Sequence, residues 1–197
     1  MGIQLSERDT TMANLFYVIG ASGVGKDSLL HFARNNISIN DPVVFTHRYI
    51  TRPSSAGGEN HIALTQDEFK RRQQLGCFAM SWHSHNNSYG IGIEINQWLA
   101  MDLDVVVNGS REYLPYATDL YPTLIPVLIS TNPERLRERL INRGRETPAE
   151  IEQRLIKAQA LDVNHPRLIT ISNNGELAEA GQKLVSLIQG KELMVCA

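Results

Sequence analysis

The chain has 197 residues, 42% of them hydrophobic and 20% charged, with 19 cationic against 21 acidic side chains and a formal charge of -2. Those figures describe one ordinary globular domain and exclude global disorder, a repeat array and the basic surplus of a nucleic-acid or membrane-surface binder. Fourteen of the 19 cations are Arg, whose planar fork pairs bidentately with phosphate or carboxylate.

Residues 1–13 read as an N-terminal extension, 14–190 as a single domain and 191–197 as a tail. The apolar run 15–19 reads as a buried strand, and a glycine-rich turn followed by a helix comes directly after it. A second strand is expected at 43–45. The stretch 52–58, with one Pro, two Ser and two Gly, is the most loop-like interior segment and marks an insert between the second and third strands of the sheet. Thr65 and Glu68 form a capping box that opens a helix. Strands follow at 105–107, 125–129 and 168–171, each separated from the one before by a segment with helical period. Asn132 with Pro133, and Thr147-Pro148 with Glu150, open two further helices. The last helix follows Asn174 through Leu177, Leu184, Leu187 and Ile188 to Gly190. Strands alternating with helices imply an α/β fold, a parallel sheet covered on both faces.

Cys77 and Cys196 stand far apart and no Cys/His spacing suits structural zinc, so a reducing cytoplasm is the expected setting. No apolar run approaches the roughly 20 residues that cross a bilayer.

Gly20, Ala21, Ser22, Gly23, Val24, Gly25 and Lys26 form a P-loop in its required context, strand before and helix after. The glycines let successive N–H groups converge on phosphate oxygens, the helix N-terminus adds its positive dipole end, and Lys26 supplies a compact charge. Where Ser or Thr normally places a hydroxyl on Mg²⁺ the chain has Asp27, with Ser28 displaced by one. The later apolar strand ends in Asn108 rather than an acid. Two readings of Asp27 stand: a carboxylate moved into the loop to ligate Mg²⁺, or a charged residue favoured in a helix's first turn.

Six arginines, Arg135, Arg137, Arg139, Arg143, Arg145 and Arg154, crowd a short stretch. Arg135, Arg139 and Arg143 are spaced to stack on one helix face, with Leu136 and Leu140 beside them toward the core. Local pairing with Glu134 and Glu138, and of Arg154 with Glu150, makes this a solvated face. Beside a phosphate loop, the same arginines suit a lid that neutralises charge spreading over a transferred phosphoryl group. Gly144 breaks the helix where such a lid hinges.

Together these pieces resemble the nucleoside-monophosphate-kinase-like P-loop NTPases, nearest to guanylate kinases, over about 15–190. The resemblance implies a parallel sheet flanked by helices, an acceptor-binding insert at about 46–92 and an Arg-rich lid at about 135–154. By it, Arg52 and Tyr89 grip the acceptor phosphate, Arg139, Arg143 and Arg154 are lid and transition-state arginines, and Asn173 lies near the adenine end. The chain departs from guanylate kinases at Ser54, Ser55 and Ala56, where a second phosphate-gripping Arg is absent. It departs again at 78–82, where no acid precedes the Tyr-Gly step. A site without base-reading partners does not select guanine.

The segments Lys26-Asp27-Ser28, Arg52-Pro53, Gly58 to His61, Ser81-Trp82, Tyr89-Gly90-Ile91 and Asn108 to Arg111 resemble instead the ribose 1,5-bisphosphate phosphokinases. Those enzymes use ATP to make 5-phospho-α-D-ribose 1-diphosphate in bacterial phosphonate breakdown. The resemblance implies ATP and Mg²⁺ as cofactors and a small-molecule acceptor, with neither nucleic acid nor membrane as partner; a homodimer is compatible with it. Glu59 and Asn60 then hydrogen-bond ribose hydroxyls or order their loop. His61, His83 and His85 face sugar or phosphate or are plain polar histidines. Asn108 and Arg111 face the acceptor, or Arg111 pairs with Asp104 or Glu112. Two further functions stay open, a nucleoside monophosphate kinase and a non-catalytic binding module, the latter disfavoured by the intact Lys26.

Overall fold

The computed structural model describes residues 13–191 except 57, 58, 60, 85 and 145. Five strands, β1 (Leu15–Ile19), β2 (Val43–Phe45), β7 (Asp104–Asn108), β8 (Ile125–Ser130) and β9 (Ile169–Ser172), form one parallel sheet in the order β2-β7-β1-β8-β9. The central strand β1 is buried along its whole length. Its alternate side chains serve two cores: Phe16 and Val18 pack with Leu29, Leu184 and Ile188 on one face, and Leu15, Tyr17 and Ile19 with Met80, Ile91 and Ile95 on the other. A strand covered on both faces reads as a continuous apolar run, which is why 15–19 stands out in the sequence.

The insert departs from the sequence expectation. Between β2 and β7 the sequence predicts a loop and helical period, but the chain builds a second sheet from β3 (Arg48–Ile50), β4 (Ile62–Ala63), β5 (Phe78–Ser84) and β6 (Asn87–Gly92), in the order β4-β3-β6-β5. Strand β6 runs antiparallel to both β3 and β5. Strands β3 and β4 have only three and two residues, and the longer β5 and β6 lack the clean alternation that announces a sheet. Only α2 (Gln66–Gln74) and α3 (Glu94–Ala100) supply the expected helical period.

The helix starts follow the capping chemistry. Helix α1 (Lys26–Asn36) begins at the glycine loop. Thr65 Oγ1 accepts the Glu68 N–H at 3.1 Å to open α2. After α4 (Leu114–Leu120), Asn132 Oδ1 accepts the Arg135 N–H at 3.0 Å to open α5 (Pro133–Arg143). Thr147 and Glu150 complete a reciprocal capping box for α6 (Pro148–Ala160). Gly144 ends α5 with a φ of 64°, the left-handed geometry of a helix C-terminus. Helix α7 (Leu177–Ile188) closes the fold and packs on α1. Among the described residues no helix is long and apolar enough to cross a membrane.

Candidate active site

The carboxyl ends of the parallel strands meet at one cleft of about 730 Å³, the position where open α/β sheets hold ligands. One wall is the glycine loop between β1 and α1. Gly25 has φ 95°, and a Cβ there would stand 2.5 Å from Asn173 Nδ2, so both the backbone angle and the close approach demand glycine. Lys26 Nζ donates to the Gly20 carbonyl at 3.0 Å, curling over the loop. Burial pulls its pKa from 10.5 down to about 8, against the opposing pull of Asp27.

The loop is braced from outside. Asn173 lies just past β9, buried, and donates from Nδ2 to the Val24 carbonyl at 2.8 Å. Arg139 of α5 donates to the same Val24 carbonyl at 3.0 Å and to the Asn173 carbonyl at 2.8 Å. Asn173, expected near the adenine end, thus stands against the loop at Val24 and Gly25 and helps fix its shape. Ser22 Oγ accepts from Arg154 Nη1 at 2.7 Å.

The facing wall belongs to the insert. Arg48 donates to both carboxylate oxygens of Glu59, at 2.9 Å from Nε, and its guanidinium lies 5.1 Å from the Tyr89 ring centre. Tyr89 in turn stacks on Trp82, with ring centres 5.6 Å apart and planes 4° off parallel. Arg52 reaches Glu59 at 4.0 Å and keeps a buried Nε without a partner. Thr51 Oγ1 accepts the Ser88 N–H at 2.8 Å, which ties the Arg52 turn to the strand carrying Tyr89. Asn108 Nδ2 bridges the two walls, donating to Asp27 Oδ1 at 2.9 Å and Glu59 Oε2 at 2.8 Å.

The structure separates the remaining candidates by position. His61 is buried, with its ring nitrogens against the carbonyls of Glu59 and Arg52 at 3.1 and 3.0 Å, so it orders the loop and does not line the cleft. Asn60 and His85 lie outside the described residues. Arg111 lines the cleft but pairs with neither Asp104 nor Glu112; its guanidinium donates to the Ala158 carbonyl at 3.0 Å. Asp104 accepts the Asn14 N–H at 2.7 Å, at the strand end away from the cleft. Among the described residues no group of three or more His, Cys, Asp or Glu is arranged to hold a metal.

The arginine stripe divides. Arg139 and Arg143 line the cleft, whereas Arg135 pairs with Glu138 at 3.2 Å and Arg137 with Glu152, both pairs in solvent. Arg154 does not pair with Glu150, whose carboxylate is held by the capping box. Its partner is Glu146, which contacts Arg154 Nη2 at 3.2 Å and also Arg143 Nη2, with its side chain 6% exposed. Arg145 lies outside the described residues.

No family model matches the chain. The chain is 54% identical to the ribose 1,5-bisphosphate phosphokinase PhnN of Psychromonas ingrahamii, over 92% of each chain. It is 53% identical to the protein of the same name from Desulfomicrobium baculatum, over 90% of this chain and 95% of that one. This chain belongs to the ribose 1,5-bisphosphate phosphokinase family. Its fold is that of the guanylate-kinase-like P-loop NTPases: the guanylate kinase of Anaplasma phagocytophilum superposes with a TM-score of 0.64, covering 94% of this chain and 89% of that one, at 14% identity.

For a member of that family, the residues that sequence reasoning missed are Arg48 and Glu146. Arg48 sits in a strand too short to show periodicity, and its charge is answered by Glu59 eleven positions away. Glu146 follows Gly144 in what reads as a connector. One signal pointed to it: an acid placed between two arginines already assigned to a lid.

Proposed function

We propose that the chain transfers the γ-phosphoryl group of ATP to the 1-phosphate of ribose 1,5-bisphosphate, giving 5-phospho-α-D-ribose 1-diphosphate and ADP. The observation that carries this reading is the lining of one cleft: the phosphate loop faces Arg48, Arg52, Tyr89 and Arg111, with Arg139 and Arg143 between. Six cationic side chains against three acidic ones line it, a surplus suited to two phosphorylated substrates.

In the transfer an oxygen of the acceptor phosphate bonds to the γ-phosphorus while the bond from that phosphorus to the β,γ-bridging oxygen breaks, and ADP leaves with the electron pair. The attacking oxygen is already ionised near neutrality, so no side chain need remove a proton; positioning and charge neutralisation suffice. Lys26 and the loop N–H groups hold the outer phosphates of ATP. Arg52 and Tyr89 hold the acceptor phosphate, and Arg139, Arg143 and Arg154 answer the charge that develops between them. To take up phosphate, Arg139 exchanges its two carbonyl partners for phosphate oxygens.

The residues present also fit Mg²⁺. Asp27 offers a carboxylate at the head of α1, and Asn108 Oδ1 is buried beside it without a partner. Two hard oxygen donors joined by nucleotide phosphates match the way this ion is usually held. When bound, it would neutralise charge on the β- and γ-phosphate oxygens. The test supplies Mg-ATP with ribose 1,5-bisphosphate, GMP, AMP or no acceptor and follows ADP release. Stimulation by the bisphosphate is expected; stimulation by GMP alone overturns the proposal.

A further inference from the structure

Beside the main cleft, and sharing Asp27, Ser28, Arg48, Glu59 and Leu177 with it, lies a second chamber of about 490 Å³. It opens beyond the carboxyl ends of β2 and β7, between them and the first turns of α1. Three observations single it out. Thr46, directly after β2, is 8% exposed, and its Oγ1 is buried in the chamber wall without a hydrogen-bond partner. An orphaned buried hydroxyl costs free energy unless a ligand or water satisfies it. Arg34 lines the same chamber, its guanidinium 5.4 Å from the Phe45 ring centre, and among the described residues no carboxylate pairs with it. His31 lies one turn before Arg34 on the same helix and also lines the chamber.

The geometry of α1 matters here. Asp27, His31 and Arg34 are spaced 4 and 3 residues apart, so they share one face, and Arg34 stands about 10 Å along the axis from Asp27. Side chains on a helix lean toward its N-terminus, and the Arg34 guanidinium lies over the Phe45 ring at the carboxyl end of β2, in the chamber wall. Beside the main cleft, this second pocket is thus lined by a cation, Arg34, and by Thr46, whose hydroxyl has no partner.

We propose that this second chamber receives the non-reacting end of the acceptor: Arg34 binds the 5-phosphate, and Thr46 Oγ1 hydrogen-bonds a ribose hydroxyl. The inference rests on the reading above that the acceptor is a sugar bisphosphate, and it makes Arg34 a specificity-determining residue. A sugar phosphate with a single phosphate group would fill the main cleft and leave Arg34 without its anion. Discrimination for the bisphosphate then comes from α1, outside the insert that grips the reacting phosphate.

The test uses the full chain and an exposed position. Arg34→Ala is expected to raise KM for ribose 1,5-bisphosphate about tenfold, the loss of one charge-assisted contact, with kcat and KM for ATP within about twofold of wild type. Arg34→Lys should recover part of the loss. Ribose 1-phosphate, used as a competitive inhibitor against the bisphosphate, should bind wild type and Arg34→Ala equally, because it lacks the group that Arg34 holds. An unchanged KM for the bisphosphate in Arg34→Ala overturns the proposal, and so does an equal loss of ribose 1-phosphate binding, which would mark a structural effect. If wild type shows no turnover of the bisphosphate at all, the proposed function itself fails and this inference goes with it.

Discussion

Replacing Lys26 by Met tests whether the ammonium proposed to hold the ATP phosphates is kept at a cost to the fold. Burial lowers its pKa from 10.5 to about 8, a shift on the order of 3 kcal/mol at about 1.4 kcal/mol per unit. Losing the bond from Nζ to the Gly20 carbonyl returns roughly 1 kcal/mol of that, so Lys26→Met should stabilise the free protein by about 2 kcal/mol at pH 7. The sign follows from linkage. Because the folded pKa lies below the unfolded one, the unfolded chain binds the extra proton between about pH 8 and 10.5, and stability contributed at this position rises with pH through that window. Below pH 8 the penalty is complete. At the two urea denaturation pH values, 7 and 9.5, buried Tyr17, whose phenol is pushed up by desolvation, offsets only about 0.2 kcal/mol of this gain. Wild type should gain about 2 kcal/mol over that span from this group, and Lys26→Met should lack the gain. The same substitution should lower kcat by about 10²- to 10³-fold, and wild-type kcat/KM for ATP should fall above about pH 8. Equal stability and an equal pH slope in the two proteins would refute the reasoning.

Glu146→Gln keeps the shape of the side chain but removes the charge between Arg143 and Arg154; kcat should fall about tenfold through misplacement of the two guanidinium groups, with KM for ATP within about twofold, as steady-state kinetics would show. Thr147→Ala removes the N-cap of α6 and should cost about 1 kcal/mol, lowering Tm by roughly 2–4 °C in a calorimetric scan, with kcat nearly unchanged.

How far the sequence carries depends on whether a residue's partner is local. The strands of the main sheet are legible because both faces are buried, and the helix starts at Asn132 and Thr147 because a cap and its N–H lie three residues apart. The loop from Gly20 to Lys26 is legible because spacing and chemistry coincide. The four-stranded insert is not: β3 and β4 have three and two residues, and β5 and β6, though longer, do not alternate between buried and exposed, so no pattern marks them. Arg48 was hidden because its partners Glu59 and Tyr89 meet it only after that sheet forms. The bracing of the glycine loop by Asn173 was equally hidden, because nothing local reveals a bond to Val24, 149 residues away. Glu150 was offered to Arg154 even though the capping box predicted from the same four residues leaves its carboxylate occupied.

One contact in the core sets a limit on reshaping this protein. Tyr17, midway along β1, lies flat beneath Gly109, where any Cβ would come within 2.3 Å of the ring, and its hydroxyl takes the Ser110 N–H at 3.0 Å. The strand that delivers the glycine loop is thereby pinned to the turn that delivers Arg111. An engineer who wants a different sugar in the pocket can vary the outward-facing positions of the insert, but a change at 109 forces the ring aside and shifts the glycine loop and the Arg111 turn together.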